Sequence, residues 1–138
     1  MFVLDTNVLS EEMRVQPAPR VHAWLASQNP AHLFTMAVTE AELLYGVAEL
    51  PDGRRKQALD GAARRILALF AGRVLSFDSA AATELPAILV ARRRLGRPIL
   101  AHDAQIAAIA RSRRMTVVTR DVGDFADCGI SLIDPWTI

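Results

Sequence analysis

Strand-length runs rich in apolar and β-branched residues alternate along the chain with segments that have a helical repeat of apolar positions. The first type of run occupies residues 2–4, 33–38, 74–77, 115–119 and 130–133, and predicts short strands. Their apolar residues are continuous rather than alternating, which is typical of strands covered on both faces. Helical segments separate the strands and no hairpin signal occurs, so the pattern predicts an α/β/α sandwich with a central, mainly parallel sheet.

Three local features make the predicted helices more specific. Thr39 and Glu42 have the spacing of a capping box at the start of a helix that runs towards Leu50. Gly46 lies inside this helix, which predicts close approach of another backbone at that point. Pro86 lies inside a second helix, predicted over residues 80–95, and predicts a kink or a break there.

Composition places the chain among ordinary globular proteins. The 138 residues are 51% hydrophobic and 22% charged, and the length predicts a single domain over residues 1–138. One cysteine, Cys128, excludes an internal disulfide and is typical of a reducing compartment. The sequence shows no secretory leader and no apolar run near the roughly 18 residues that span a membrane, so we expect a cytoplasmic protein that makes no membrane contact.

Four acidic residues recur at equivalent places in this pattern. Asp5 and Asp121 follow predicted strands, and Glu42 and Asp103 lie near the starts of predicted helices. Each has a local explanation, since acids cap helices and favour helix N-termini. However, ligands of open α/β sheets bind beyond the carboxyl ends of the strands, so all four carboxylates are expected to converge there.

A cluster of carboxylates needs a cation or shared protons. Two carboxylates about 4 Å apart repel by about 4 kcal/mol at an effective dielectric constant near 20. Oxygen ligands without His or Cys favour Mg²⁺ or Mn²⁺ over zinc. A metal held in this way can activate water and neutralise the charge on a phosphodiester. The four acids therefore predict a metal-dependent centre that acts on phosphodiester bonds.

The formal net charge of +1 hides an uneven distribution of basic residues. The only lysine is Lys56, and four arginines crowd the end of the helix predicted over residues 80–95, namely Arg92, Arg93, Arg94 and Arg97. Cations favour a helix C-terminus, but four of them exceed this need, and contact with RNA phosphates is a weaker alternative. His102, next to Asp103 on a helix, is expected to be a surface imidazole rather than a ligand.

The chain also resembles a known family along essentially its full length. The ordered set of segments looks like the PIN-domain ribonucleases, specifically the VapC toxins of the FitB-like branch. The segments that carry the resemblance are Phe2-Val3-Leu4-Asp5-Thr6-Asn7-Val8-Leu9-Ser10, Ala37-Val38-Thr39-Glu40-Ala41-Glu42-Leu43-Leu44-Tyr45-Gly46, Gly96-Arg97-Pro98-Ile99, Asp103-Ala104-Gln105-Ile106-Ala107-Ala108-Ile109-Ala110, Thr119-Arg120-Asp121 and Asp134-Pro135-Trp136.

This resemblance implies a metal-dependent endoribonuclease toxin. It implies that Asp5, Glu42, Asp103 and Asp121 are catalytic and bind Mg²⁺ or Mn²⁺. Residues that orient these ligands are implied at Thr6, Asn7 and Thr119, and Asp124 occupies a position where the family often has Asn or Asp. The resemblance further implies a homodimer, an RNA substrate and a cognate VapB-like antitoxin, often with a DNA-binding portion.

Two alternative functions remain open at this stage. A haloacid-dehalogenase-type phosphatase would also place a nucleophilic Asp after its first strand, but it expects a second acid where this chain has Asn7, and a supporting lysine. A catalytically inactive PIN-like domain that only binds a partner or RNA is the other alternative. The presence of all four acids argues against an inactive domain.

Overall fold

The computed structural model describes all residues, 1–138, and its centre is one five-stranded sheet. The strands lie in the order β3-β2-β1-β4-β5, and every neighbouring pair is parallel. Their bounds are β1 Phe2–Leu4, β2 Leu33–Met36, β3 Val74–Leu75, β4 Thr116–Val118 and β5 Leu132–Ile133. The predicted parallel sheet is confirmed; β1 has the predicted bounds, and β2 to β5 are shorter than the apolar runs that predict them.

Six helices connect and cover these strands. They are α1 Thr6–Glu12, α2 Pro19–Ala26, α3 Ala37–Ala48, α4 Arg54–Ala68, α5 Ser79–Arg94 and α6 Ala101–Arg113, with 3-10 turns at Pro30–His32 and Val122–Phe125. None of the helices combines the length and the apolarity required to cross a membrane.

Alternate residues of the two central strands face opposite cores, as the two-residue period of a strand requires. Val3 and Val117 belong to one buried core with Ile106 and Ile109 of α6. Leu4 and Val118 belong to the other, which includes residues of α1 to α4. The sheet therefore lies between two helix layers, and the sandwich predicted from the sequence is confirmed.

Two local predictions, at Thr39 and Gly46, are wrong, and a third, at Pro86, is wrong in part. Helix α3 starts at Ala37, so Thr39 is a fully buried helical residue rather than a cap, and its hydroxyl has no hydrogen-bond partner. Gly46 has no neighbour within 4 Å of the position that a Cβ would take. Pro86 lies within a helix that runs without a break from Ser79 to Arg94, so of the predicted kink or break the break is absent.

A carboxylate cavity at the strand ends

The neighbouring strands β1 and β4 bring two site segments together. Leu4 pairs with Val118, and the Asp5 N–H donates to the Val118 carbonyl at 3.0 Å. One residue further along β4, the Thr119 hydroxyl donates to Asp5 Oδ2 at 2.9 Å. Asp5 also accepts a hydrogen bond from the Thr6 N–H on Oδ1 at 2.8 Å, which caps α1. The carboxylate therefore caps α1 and also lies at the strand end where the sequence predicts a site.

Asn7 connects the carboxylates of these two segments. Its Nδ2 group lies 3.4 Å from Asp5 Oδ2 and donates to Thr119 Oγ1 and Asp121 Oδ2, both at 3.1 Å. Its Oδ1 accepts the Arg120 N–H at 3.2 Å. One amide thus fixes the distance between the ends of β1 and β4, and it orients Asp5 towards Asp121.

Helices α3 and α6 supply the other two acids. Glu42 lies in the second turn of α3, and Asp103 lies in the first turn of α6. Glu42 Oε2 accepts the Thr6 hydroxyl at 2.5 Å and lies 2.6 Å from His102 Nε2. His102 is half-buried, and this contact was not expected, because the sequence cannot show that α6 packs beside α3.

The four acids line one open cavity of about 410 Å³, called here the carboxylate cavity. Only two of its 13 lining residues are hydrophobic, and they are Phe125 and Trp136. Besides the four predicted acids, Thr6, Asn7 and Asp124 line it, together with Ser10, Glu11, Arg14 and Arg120. Thr119 is buried beneath it and acts through its hydroxyl.

The acids are gathered around the cavity without forming a tight cage. No three Asp, Glu, His or Cys side chains stand close enough together to hold one metal ion. Hydrogen bonds instead draw Asp5 and Asp121 towards Asn7 and draw Glu42 towards His102. Side-chain rotations would have to bring the carboxylate oxygens onto one ion. The four acids offer only oxygen ligands, and this donor chemistry fits Mg²⁺ or Mn²⁺.

Burial and mutual repulsion raise the pKa values of two of these acids. Burial is the main reason that the pKa of Asp103 rises to about 6, and Asp124 and Asp5 add like charge, while His102 opposes the shift. Burial also raises the pKa of Asp5, with further contributions from Glu42 and Asp121, against the hydrogen bonds from Thr6 and Thr119. Two neighbouring acids with raised pKa values are typical of a functional site.

The pKa of Asp103 leads to a prediction about stability in the metal-free protein. Because this pKa rises from 3.8 to about 6 on folding, the folded chain binds more protons between these pH values than the unfolded chain. The free energy of unfolding should therefore fall as pH rises through this window. In Asp103→Asn this contribution is absent. The free energy of unfolding of the variant, relative to that of the parent, should therefore rise by about 1 kcal/mol between pH 4 and pH 7, after allowance for solvent screening.

Urea unfolding of both proteins in chelator at each pH measures this difference. Asp127→Asn is the matched control, because Asp127 is exposed and pairs with Arg97 outside the cavity. If the free energies of unfolding of Asp103→Asn and the parent differed by the same amount at every pH in this range, the prediction would be contradicted.

The four arginines at the end of α5 differ in their surroundings, and only the RNA contact predicted for Arg92 is contradicted. Arg92 is 5% exposed, and its guanidinium donates to the carbonyls of Asp124 and Ala126 at 2.8 and 2.9 Å, so it is not available to RNA. Arg97 pairs with Asp127 at 3.2 Å. Arg93 and Arg94 are exposed, and none of the four lines the carboxylate cavity. The prediction is wrong for Arg92, because its side chain turns inward.

Comparison with known proteins gives a consistent result over the full chain. The family model for the PIN domain matches residues 2–129. The chain is 42% identical to the toxin FitB of Neisseria gonorrhoeae over 137 residues, which covers 99% of both chains. It is 37% identical to the VapC ribonuclease Y4jK of Sinorhizobium fredii over 140 residues, which covers 99% of this chain and 98% of the relative.

The fold comparison agrees with the sequence comparison. The solved structure of FitAB bound to the IR36 DNA fragment matches with a TM-score of 0.93 and 42% identity, and the match covers 100% of this chain and 97% of that one.

Proposed function

The chain belongs to the PIN-domain family, and from this membership and its carboxylate cavity we propose that it is the toxin of a toxin–antitoxin pair, a metal-dependent endoribonuclease. The single observation that carries the proposal is the meeting of Asp5, Glu42, Asp103 and Asp121 on one cavity. This cavity occurs in a chain that matches a VapC ribonuclease over nearly its whole length. We place residues 1–138 in one nuclease domain, because β5 belongs to the same sheet as β1.

Nucleases of the PIN family generally depend on a divalent metal ion. In this chain Asp5, Glu42, Asp103 and Asp121 would hold it, and their oxygen-only chemistry favours Mg²⁺ or Mn²⁺. A bound ion of this kind lowers the pKa of water and neutralises charge on a phosphodiester. The raised pKa of Asp103 supports this assignment, because a cation would relieve the repulsion that contributes to the shift.

The remaining polar side chains orient the acids. Thr119 and Asn7 bind Asp5 Oδ2, so they direct the Asp5 carboxylate, and the Thr6 hydroxyl does the same for Glu42. Groups that orient metal ligands typically change metal affinity or activity by about 10–100-fold when mutated. Asp121 is exposed and lines the cavity, and it is our candidate to accept the proton of the attacking water.

The partners follow from the same family membership. We propose a cognate antitoxin of the VapB type with a DNA-binding portion, a homodimeric toxin and an RNA substrate. The match to FitAB on DNA supports the antitoxin, because that structure is of a complex bound to a DNA fragment. A cytoplasmic location stays a prediction.

The phosphatase alternative is not supported by the positions of its expected residues. Asn7 occupies the place of the second acid, and it bridges Asp5 to Asp121 rather than handling protons. Lys56 donates to the Ala48 carbonyl and to Asp52, and it does not line the carboxylate cavity.

RNA cleavage by the purified, antitoxin-free protein tests the proposed function. We expect cleavage with Mg²⁺ or Mn²⁺, its loss in excess chelator and its return when metal is added back, because four carboxylates alone repel the phosphodiester. Denaturing gels of transfer, ribosomal and messenger RNA provide the measurement. Cleavage that persists in chelator would contradict the metal dependence, and no cleavage of any RNA would favour the inactive binding domain.

A further inference from the structure

The carboxylate cavity is strongly acidic, and this creates a problem for any polyanionic substrate. Its lining includes six acidic side chains, Asp5, Glu11, Glu42, Asp103, Asp121 and Asp124, and only two cationic ones, Arg14 and Arg120. A metal ion offsets part of this charge at the reacting phosphate, but the neighbouring phosphates of the strand would still face carboxylates. A cationic side chain at the cavity is therefore needed to bind these neighbouring phosphates.

Arg120 differs from the other exposed arginines in its surroundings. Two hydrogen bonds hold the backbone at Arg120. The Arg120 N–H donates to Asn7 Oδ1 at 3.2 Å, and the N–H of the next residue, Asp121, donates to Thr119 Oγ1 at 3.0 Å. The Arg120 guanidinium carbon lies 4.5 Å from the centre of the Trp136 ring. The guanidinium forms no salt bridge, so its N–H donors remain available to a ligand.

Trp136 supports this arginine as a rigid platform. Its ring packs against the core on the α1 to α4 side of the sheet, and its backbone N–H donates to Asp134 Oδ1 at 2.9 Å in the turn that follows β5. The indole N–H is buried without an acceptor. An unpaired buried donor is unfavourable, so the aromatic face, and not the N–H group, explains a tryptophan at this position.

Arg14 offers a weaker cation on the same cavity. Its guanidinium is 67% exposed and lies 3.5 Å from Glu11, a long contact with an acid that already accepts the Ala18 N–H at 2.7 Å. No aromatic ring is stacked on it. Arg14 therefore has more conformational freedom to lose on binding than Arg120, whose guanidinium plane is already held.

We propose that Arg120, held on the face of Trp136, binds the phosphodiester backbone of single-stranded RNA at the carboxylate cavity. This inference rests on the proposed ribonuclease function. A guanidinium matches two phosphate oxygens at once. Stacking on an aromatic ring reduces the entropy lost when such a contact forms. Arg120 positions the strand next to Asp121 without taking part in proton transfer.

Binding of a short, fluorescently labelled single-stranded RNA of mixed sequence tests the proposal. The parent for this measurement is the Asp5→Asn protein, which leaves the RNA intact. Each double variant combines Asp5→Asn with one further substitution: Arg120→Gln, Arg120→Lys, Trp136→Leu or Arg93→Gln. We expect Arg120→Gln to weaken binding about 10-fold and to reduce the slope of log affinity against log salt by about 0.7, the value of one phosphate contact on a single strand.

The other variants separate a specific contact from a general charge effect. Arg120→Lys keeps the positive charge but lacks the planar guanidinium group, so it should bind RNA more tightly than Arg120→Gln and less tightly than its parent. Trp136→Leu should lose most of the RNA affinity that Arg120→Gln loses. Arg93→Gln removes an exposed charge away from the cavity and should bind within about twofold of its parent. Thermal unfolding of each protein checks that Trp136→Leu is folded.

Cleavage kinetics of proteins that retain Asp5 distinguish failure of this inference from failure of the proposed function. Arg120→Gln should raise KM for RNA about 10-fold with little change in kcat, as expected for lost uniform binding. Unchanged binding and KM in Arg120→Gln, or an equal loss in Arg93→Gln, would overturn the inference while metal-dependent cleavage by the parent still stood. No RNA binding by the Asp5→Asn protein would also overturn it, and absent cleavage by the parent would overturn the proposed function itself.

Discussion

We expect Asp5→Asn and Asp103→Asn each to reduce RNA cleavage by about 10³-fold or more while the protein stays folded. An amide oxygen lacks the full negative charge of a carboxylate and binds Mg²⁺ or Mn²⁺ more weakly, so either change weakens the metal site. The fold of Asp5→Asn survives because Asn is as good a helix cap as Asp, and its amide oxygen can still accept the Thr6 N–H that Asp5 Oδ1 accepts. Cleavage rates and thermal unfolding of the same preparations provide the measurement.

The stability of these variants decides between a catalytic and a structural role. Both acids have raised pKa values in the folded chain, so neutral replacements relieve desolvation and repulsion, and unfolding temperatures should stay equal or rise. Asp127→Asn, an acid outside the carboxylate cavity, is the control and should retain cleavage. Unfolding of Asp5→Asn or Asp103→Asn under conditions where the parent is folded would mean that these acids are structural.

Arg92→Met should have the largest effect on stability, a loss of about 3 kcal/mol or more. Arg92 is buried, and its guanidinium donates to the Arg97 carbonyl at 2.8 Å as well as to the Asp124 and Ala126 carbonyls. Its removal leaves the Arg97 and Asp124 carbonyls without a donor, and it leaves the Ala126 carbonyl with only the Cys128 thiol at 3.6 Å. These contacts tie the end of α5 to the 3-10 turn at Val122–Phe125, which follows Asp121 and carries Asp124.

Urea unfolding of Arg92→Met and Arg93→Met measures this effect with a matched pair. Arg93 is the adjacent residue of the same helix but is exposed, so its replacement should change the free energy of unfolding by no more than about 0.5 kcal/mol. Equal, small effects of the two substitutions would show that the buried guanidinium does not hold the turn.

The fold and the four acids could be predicted from the sequence because one rule connects them. Parallel strands have a continuous apolar pattern, and their carboxyl ends meet at one edge of the sheet. Asp5 and Asp121 follow two of these strands, so the pattern along the chain placed both at one sheet edge, and the structure adds that the two strands, β1 and β4, are neighbours. Mutual orientation was not predictable, since the bridging bonds of Asn7 depend on rotamers that no spacing specifies.

Contacts that depend on helix packing could not be predicted. His102 was expected to be a surface imidazole, but α6 lies beside α3 and brings it to Glu42. Arg92 belongs to a run of three arginines that is uniform in sequence, and only the rotation of α5 turns Arg92 inward and leaves Arg93 and Arg94 exposed. The capping box at Thr39 failed for a related reason, because the helix starts directly after β2 and takes Thr39 into its buried face.

Titration of the protein with Mn²⁺, followed by the electron paramagnetic resonance signal of the free ion, tests most directly whether the carboxylate cavity is a metal centre. Our account predicts binding by the parent protein at pH 7, much weaker binding by Asp103→Asn and Asp5→Asn, and parental affinity in Asp127→Asn. It also predicts that binding weakens below about pH 6, where Asp103 becomes protonated. Equal Mn²⁺ binding by the parent and Asp103→Asn, or no binding by the parent, would contradict it.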